Sequence, residues 1–438
     1  MRQDGKDTAE PNGRDTWMPS PAPHAGSRGF PSGAKPDMRN LPLASSRWET
    51  VIGLGLGWLM IGMLVMPAGV SFNPGRLYQV TLVVLLYLPV FCLAIRQRGA
   101  LWRGLWPQPA FRAFLLLVAW ATLSMCWGQQ DRPGDEFGRI VSVVLFVLGC
   151  QLWGGERPAR MEMLLTAVGW AMAVAALAYS MIFLRAPHPE NLDQVRITGE
   201  GVIATSNYAA AAMGAACVWL AQLPDRGRAW RVASMAAFMA LLLFVALTQS
   251  RSVWLALAAC ALATPLWQRS RAGVLVAALV AVVVLVLSVI ALAWPLPVLM
   301  ERGASYRPQI LVKALHLIAA HPWLGLGQGT EFTIVVGGQH LTHSHNVLTQ
   351  AAILLGLPGL AMMVAMWALV AWSGWRHRGE PLGRVTLGLW VYASVALQFD
   401  MPQLLDSPRP GWLLIWLPFA LALGLEARTR CAASPRLH

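Results

Sequence analysis

Blocks of roughly 20 apolar residues, each closed by a short polar connection, recur from Val51 to Leu425, and that is the length a helix needs to cross a bilayer core. In chain order they predict spans near 49–67, 77–96, 112–127, 139–154, 162–184, 204–223, 232–249, 253–268, 273–294, 346–374, 385–399 and 411–427. About twelve such spans define an all-α polytopic integral membrane protein rather than a soluble chain with one anchor. Residues 1–47 break the pattern: they are rich in Pro, Gly, Ser and charge and hold no apolar stretch. They read as a disordered tail, not as a cleaved signal. The expected organisation is a tail (1–47), transmembrane helices (48–294), a large loop (295–345), further transmembrane helices (346–427) and a short closing tail (428–438).

Polar positions add an orientation. Arginines gather in alternate connections, at Arg96, Arg98, Arg103 and Arg112, then Arg157 and Arg160, Arg226, Arg228 and Arg231, and Arg376, Arg378 and Arg384. Most acids, among them Asp131, Glu136, Glu190, Asp193, Glu301, Asp400 and Asp406, fall in the complementary set. The positive-inside rule then predicts both termini in the cytoplasm and the acidic side outside.

Composition agrees with the pattern. Apolar residues make up 56% and charged residues 13%, far from the soluble norm. A net charge of +13 would suggest nucleic acid in a soluble protein, but here topology accounts for it and no nucleic-acid partner is expected. The only lysines are Lys6, Lys35 and Lys313; arginine, always charged and bidentate toward phosphate, suits a diphosphate ligand, although a GC-rich genome also favours it. The scattered cysteines form no metal-binding spacing and read as small buried hydrophobes.

One connection is out of proportion: about fifty residues separate Trp294 from Asn346, and long ordered loops are more often functional than idle. Within it Pro308–Ala320 has helical periodicity, with Ile310, Leu311, Ala314, Leu315 and Ile318 on one face and Gln309, Lys313 and His316 on the other. That pattern predicts a helix lying in the membrane interface. The glycine-rich HPWLGLGQG that follows is expected to turn and to offer backbone N–H groups to a ligand. The loop ends in a polar run holding His340, Thr342, His343, Ser344, His345 and Asn346. Ionisable groups beside a span are costly and are usually kept for a task. His345 there is either a general base for a sugar hydroxyl or a residue that merely caps a helix. The spacing of His340, His343 and His345 is not the helical pair of zinc hydrolases, and no carboxylate cluster stands nearby, so no metal is expected.

Further candidates are arginines. Arg251 occupies a hairpin turn reading Ser250-Arg251-Ser252, at headgroup depth, where it either snorkels or meets a lipid-linked phosphate. Arg196, in an outer loop, and Arg307, opening the interfacial helix, are the others. Asp400 and Asp406 either orient an arginine, bind sugar hydroxyls, or belong to a solvated loop.

His345-Asn346, followed after nine residues by Gly356-Leu357-Pro358-Gly359, resembles the motif of the lipopolysaccharide O-antigen ligase family, within the larger ligase and polymerase superfamily of envelope glycosyltransferases. The SRSVWLAL and RPQILVKALHLIAAHPWLGLGQGTEF runs are similar to that superfamily's arginine hairpin and to its approach to the outer loop. The resemblance implies twelve spans, a large periplasmic loop, and an inverting, metal-independent transfer in the inner membrane that uses no cofactor. It implies O-antigen on undecaprenyl diphosphate as donor and a lipid A-core sugar as acceptor, among membrane lipids. It assigns the catalytic role to His345 and diphosphate binding to Arg251, Arg196 and Arg307. His343, Asn346 and Lys313 are expected to support the base or contact the acceptor. An O-antigen polymerase or a protein-directed oligosaccharyltransferase shares this topology. A transporter of lipid-linked sugars is the alternative from another class, and would show inverted repeats, broken mid-membrane helices and ionisable residues within spans; the sequence displays none of these.

Overall fold

The computed structural model describes residues 43–66, 74–187, 195–224, 226–268, 270–293 and 306–433. The predicted tail up to residue 42, and the acids Glu190, Asp193 and Glu301, lie outside them. The helices are α1 (Leu43–Val65), α2 (Pro74–Leu82), α3 (Leu88–Arg96), α4 (Arg98–Leu105), α5 (Pro109–Ser124), α6 (Pro133–Cys150), α7 (Pro158–Arg185), α8 (Ser206–Gln222), α9 (Arg228–Thr248), α10 (Arg251–Ala263), α11 (Arg271–Ala293), α12 (Arg307–Ala320), α13 (Val347–Arg376), α14 (Pro381–Ala396), α15 (Pro410–Leu414) and α16 (Trp416–Ala433). Short strands β1 (Ile334–Val336) and β2 (Gln339–Leu341) pair antiparallel, with Val335 opposite His340. Pro109, Pro133, Pro158, Pro381 and Pro410 each open a helix, where the missing N–H costs nothing.

A helix stands at every predicted span, and among the described residues 7 are long and apolar enough to cross a membrane by length and composition. α5, α10 and the Gly273–Val283 part of α11 are shorter apolar helices. The last helix runs past the predicted boundary at 427 to Ala433. Large apolar side chains such as Val174, Ile182 and Leu275 face outward, about 70% exposed, whereas α8 is buried around its whole circumference from Ala209 to Cys217. Small residues inside and large ones outside is how helices pack in lipid, where close backbone approach supplies the attraction. Gly214 of α8 shows it: an added Cβ would lie 2.2 Å from the Tyr392 hydroxyl of α14, which donates to the Ala211 carbonyl.

Two sequence expectations change at α13. The helix is broken at Gly356 (φ 69°, ψ −177°), and the HPWLGLGQG loop is threaded into the gap. Pro358 has no N–H for the Leu354 carbonyl, so the Gly327 N–H takes that acceptor at 2.8 Å. The Leu357 N–H bonds Pro322 O, and the Leu326 N–H bonds the Ile353 carbonyl left behind. The Trp120 indole satisfies Leu355 O at 2.8 Å. Loop N–H groups expected to face a ligand are therefore spent on the broken helix, as buried backbone requires. The break was not anticipated, because Gly-Leu-Pro-Gly inside an apolar run reads as a tolerated interruption.

α12 also turns differently. It buries Ile310 and Ala314 against Ile334, Val336 and Ile353 and leaves Leu311 and Leu315 exposed, so half of its predicted apolar face packs on protein. Gly356→Ala should lower yield and thermal midpoint sharply. Its backbone region is open essentially to glycine alone, at about 1–3 kcal/mol, and the new Cβ would meet the Trp323 carbonyl at 2.3 Å. A thermal-shift midpoint equal to wild type would show that the crossing can yield.

A candidate active site at converging helix N-termini

Asn346 caps α13, its side-chain carbonyl accepting from the Leu348 and Thr349 N–H groups at 2.8 and 3.1 Å. Its amide donates to the Gln398 side chain at 2.8 Å. Ser344 folds back on the same turn: its N–H and hydroxyl donate to the Gln350 side-chain oxygen at 3.0 and 3.1 Å. Between these pinned neighbours His345 takes a left-handed conformation, φ 55°. Among the described residues the other non-glycine positive-φ positions are Gln249 and Met401. Gln249 shapes the turn before Arg251, and Met401 follows Asp400, so all of them border one site. Such conformations cost about 1–3 kcal/mol each and persist where the surroundings enforce them, often at functional sites.

The His345 ring faces Asp400, Nδ1 to Oδ1 3.9 Å, with its side chain 27% exposed. That is an electrostatic contact, longer than a formed hydrogen bond. Asp400 is itself buried and held from the other side: the Asn207 amide donates to Oδ2 at 2.7 Å and the Met401 N–H to Oδ1 at 2.9 Å. Burial pushes the Asp400 carboxyl up, but the His345 ring, the Met401 N–H and the Asn207 amide outweigh it and hold the group below the usual carboxylate range. The solvated-loop reading of Asp400 and Asp406 is thereby overturned, since both are buried and partnered. The reason is tertiary: the loop after α14 is roofed by α8 and by the turn into α13.

Asn207 is the residue the sequence did not reveal. On the first turn of α8, two residues after its Thr205 cap, it accepts from Arg196 Nη2 at 2.8 Å and from the Ser250 hydroxyl at 3.2 Å. The one visible signal was an asparagine opening an otherwise alanine-rich helix. Arg196 also donates to the Thr248 carbonyl at 2.7 Å, so it braces the α9–α10 turn against α8.

Arg307 and Arg251 stand at the first positions of α12 and α10. Arg307 lies over the Phe399 ring at 5.4 Å; burial lowers its pKa, Asp400 opposes that, and Arg251 is close enough to reinforce it. Arg251 is exposed. The N-termini of α8, α10, α12 and α13 thus meet around Asp400 and His345, and their dipoles add to the positive field of the arginines. His343 stacks edge-on against His345, ring centroids 4.0 Å apart. Burial first, then His345, lower its pKa against the pull of Asp400, and its Nδ1 is buried without a partner. Lys313 is not brought to this group: it sits on the exposed side of α12. Among the predicted residues, then, His345, His343, Asn346, Arg196, Arg251 and Arg307 gather round Asp400, and Lys313 does not.

Residues 236–364 match the family model described as O-Antigen ligase. That stretch holds Arg251, Arg307, His343, His345, Asn346 and the break at Gly356, and leaves out Arg196, Asn207 and Asp400. Over 386 residues the chain is 29% identical to a protein named O-antigen ligase from Pseudomonas aeruginosa, covering 87% of this chain and 93% of that protein. The arginine turn, the capping His-Asn and the Gly-x-x-Gly break all lie inside the stretch that matches the O-antigen ligase model, and the similarity to the Pseudomonas aeruginosa protein runs through most of the length.

Proposed function

We propose that the protein transfers O-antigen polysaccharide from undecaprenyl diphosphate to a sugar of lipid A-core, at the periplasmic face of the bacterial inner membrane. The observation that carries this reading is the facing of His345 and Asp400 inside a ring of helix N-termini bearing Arg251 and Arg307. The twelve-span topology, cytoplasmic termini and periplasmic loop at 295–345 belong to the same proposal, supported by the alternation of basic and acidic connections.

His345 takes the proton of the acceptor hydroxyl through Nε2 while Nδ1 is turned to Asp400; the carboxylate orients the ring and stabilises the imidazolium that forms. The freed oxygen bonds to the anomeric carbon from the side opposite the diphosphate, inverting it. The old carbon–oxygen bond breaks and its electron pair leaves on the phosphate oxygen. Arg251 and Arg307 stabilise that charge in a partly dehydrated setting, the part a metal ion plays elsewhere. Arg196 and Asn207 hold the carboxylate that holds the histidine. Asn346 serves as support through the helix cap. His343, kept neutral by burial, adds no charge against the incoming proton.

The test is reconstitution: purified protein, lipid-linked glycan and lipid A-core, in excess chelator and with no energy source. Glycan joined to lipid A-core is the expected product; glycan joined to glycan would make the protein a polymerase, and movement without bond formation a transporter. In that assay Arg251→Lys should lower turnover about 10²-fold, because a point charge does not replace the bidentate fork. Turnover equal to wild type would reduce Arg251 to a headgroup anchor.

A further inference from the structure

A second polar group lies next to the first and takes no part in the chemistry above. Glu136 and Arg139, on the first turns of α6, are paired, and Arg139 Nε lies 3.6 Å from Asp406 Oδ1. Arg409 closes the chain, 2.9 Å from Asp406 Oδ2. The buried Gln328 side chain donates to Glu136 at 3.3 Å and to the Leu405 carbonyl at 3.4 Å. These residues line a cleft of about 310 Å³, at the small end of ligand-sized pockets.

The chemistry of the cleft differs from that of its neighbour. Acid and base alternate from Glu136 to Arg409 and cancel, and Glu331 on the lining leaves the cleft at a formal charge of −1, whereas the Arg251 and Arg307 side carries surplus positive charge. Carboxylates accept, and guanidinium and amide N–H groups donate, in a small space: this set matches vicinal hydroxyls, each donor and acceptor at once, better than it matches a phosphate. The cleft also adjoins the base. Thr342 and Gln350 line it, and Gln350 is the acceptor that fixes Ser344 beside His345. Tyr208 of α8 stands between, close enough to Asp400, Asp406 and Arg409 to feel all of them.

We propose that this cleft binds a neutral sugar of the acceptor glycan and so delivers a neighbouring hydroxyl to His345. That the sugar is an acceptor rests on the transfer reading; that a saccharide binds here does not. Full-length protein in nanodiscs is titrated with core oligosaccharide freed of lipid A and of phosphate, followed by saturation-transfer NMR, and the same variants are assayed for transfer. Wild type and Arg251→Lys should bind alike. Arg409→Gln should weaken binding at least tenfold and raise the KM for acceptor by a similar factor, with the donor KM unchanged. Gln403→Trp, which fills the cleft from its wall and leaves the ion chain intact, should do the same and covers the case in which Arg409→Gln misfolds. Unchanged oligosaccharide affinity in the folded variants, or a shift in donor KM alone, overturns the cleft assignment while leaving transfer in place. Oligosaccharide that binds wild type but not Gln403→Trp, with no transfer by wild type, keeps the cleft as a saccharide site and removes the transfer reading.

Discussion

His345→Ala is expected to lower transfer about 10³–10⁴-fold while the protein inserts and purifies as wild type does. The loss has a defined origin. No other described side chain that could take a proton stands in the same relation to Asp400, and His343 is kept from protonation by burial and by the neighbouring ring. Folding should tolerate the change, since α13 is capped by Asn346 and the turn is tied by Ser344 and Gln350. Alanine brings no relief of the left-handed conformation, φ 55°, which it adopts less readily than histidine. The measurement is product formed per folded enzyme in the reconstituted assay, with complementation of a ligase-deficient strain as a second readout. Full O-antigen attachment by the alanine variant would end the base assignment.

Asp400→Asn should cost about 10²–10⁴-fold in kcat, with both KM values within threefold of wild type. The amide preserves shape but can turn an N–H toward Nδ1 of His345. The ring then places its own proton on Nε2, where a lone pair is needed. The charge that steadies the imidazolium is lost as well. Because the carboxyl is held below the usual range, its contribution to stability is present above about pH 4 and disappears as pH falls through the lower folded value. The asparagine variant should therefore lose that part of the acid dependence of the thermal midpoint. Near-normal kcat for Asp400→Asn would make Asp400 a packing residue that ties α8 to the loop after α14, and nothing more.

The chemistry-bearing positions were legible to different degrees. His345 stood out because a polar run at the end of an apolar block is costly and rarely idle. Arg251 stood out because a turn as short as Ser250-Arg251-Ser252 leaves an arginine few directions. Asp400 was singled out with Asp406, as an arginine partner, a sugar ligand or part of a solvated loop, and the choice stayed open because a loop's burial depends on which helices roof it, and that is not written in the loop. Asn207 carried almost no signal: its importance comes from Arg196 in the preceding loop and from Ser250 and Asp400, which are distant in sequence and reach it only once α8, α9 and α14 pack. Lys313 misled in the opposite way, since helical periodicity predicts that a polar face exists but not where it points.

Hydrophobic periodicity by itself determined the helices, their order and the long connection before α13, because backbone polar groups in a bilayer leave the chain little besides helices to form. The Asn346 cap and the break at Gly356 obey local backbone rules, yet they were recognised only in the fold, because the same letters also suit an uninterrupted apolar span. What only the tertiary structure decided is that the N-termini of α8, α10, α12 and α13 open on one point. Helix packing with small residues inside set those axes, and the loop threaded through the gap at Gly356 tied Arg307's helix to that of His345. Such convergence is a sum of close contacts between distant segments, and no window of the sequence contains it.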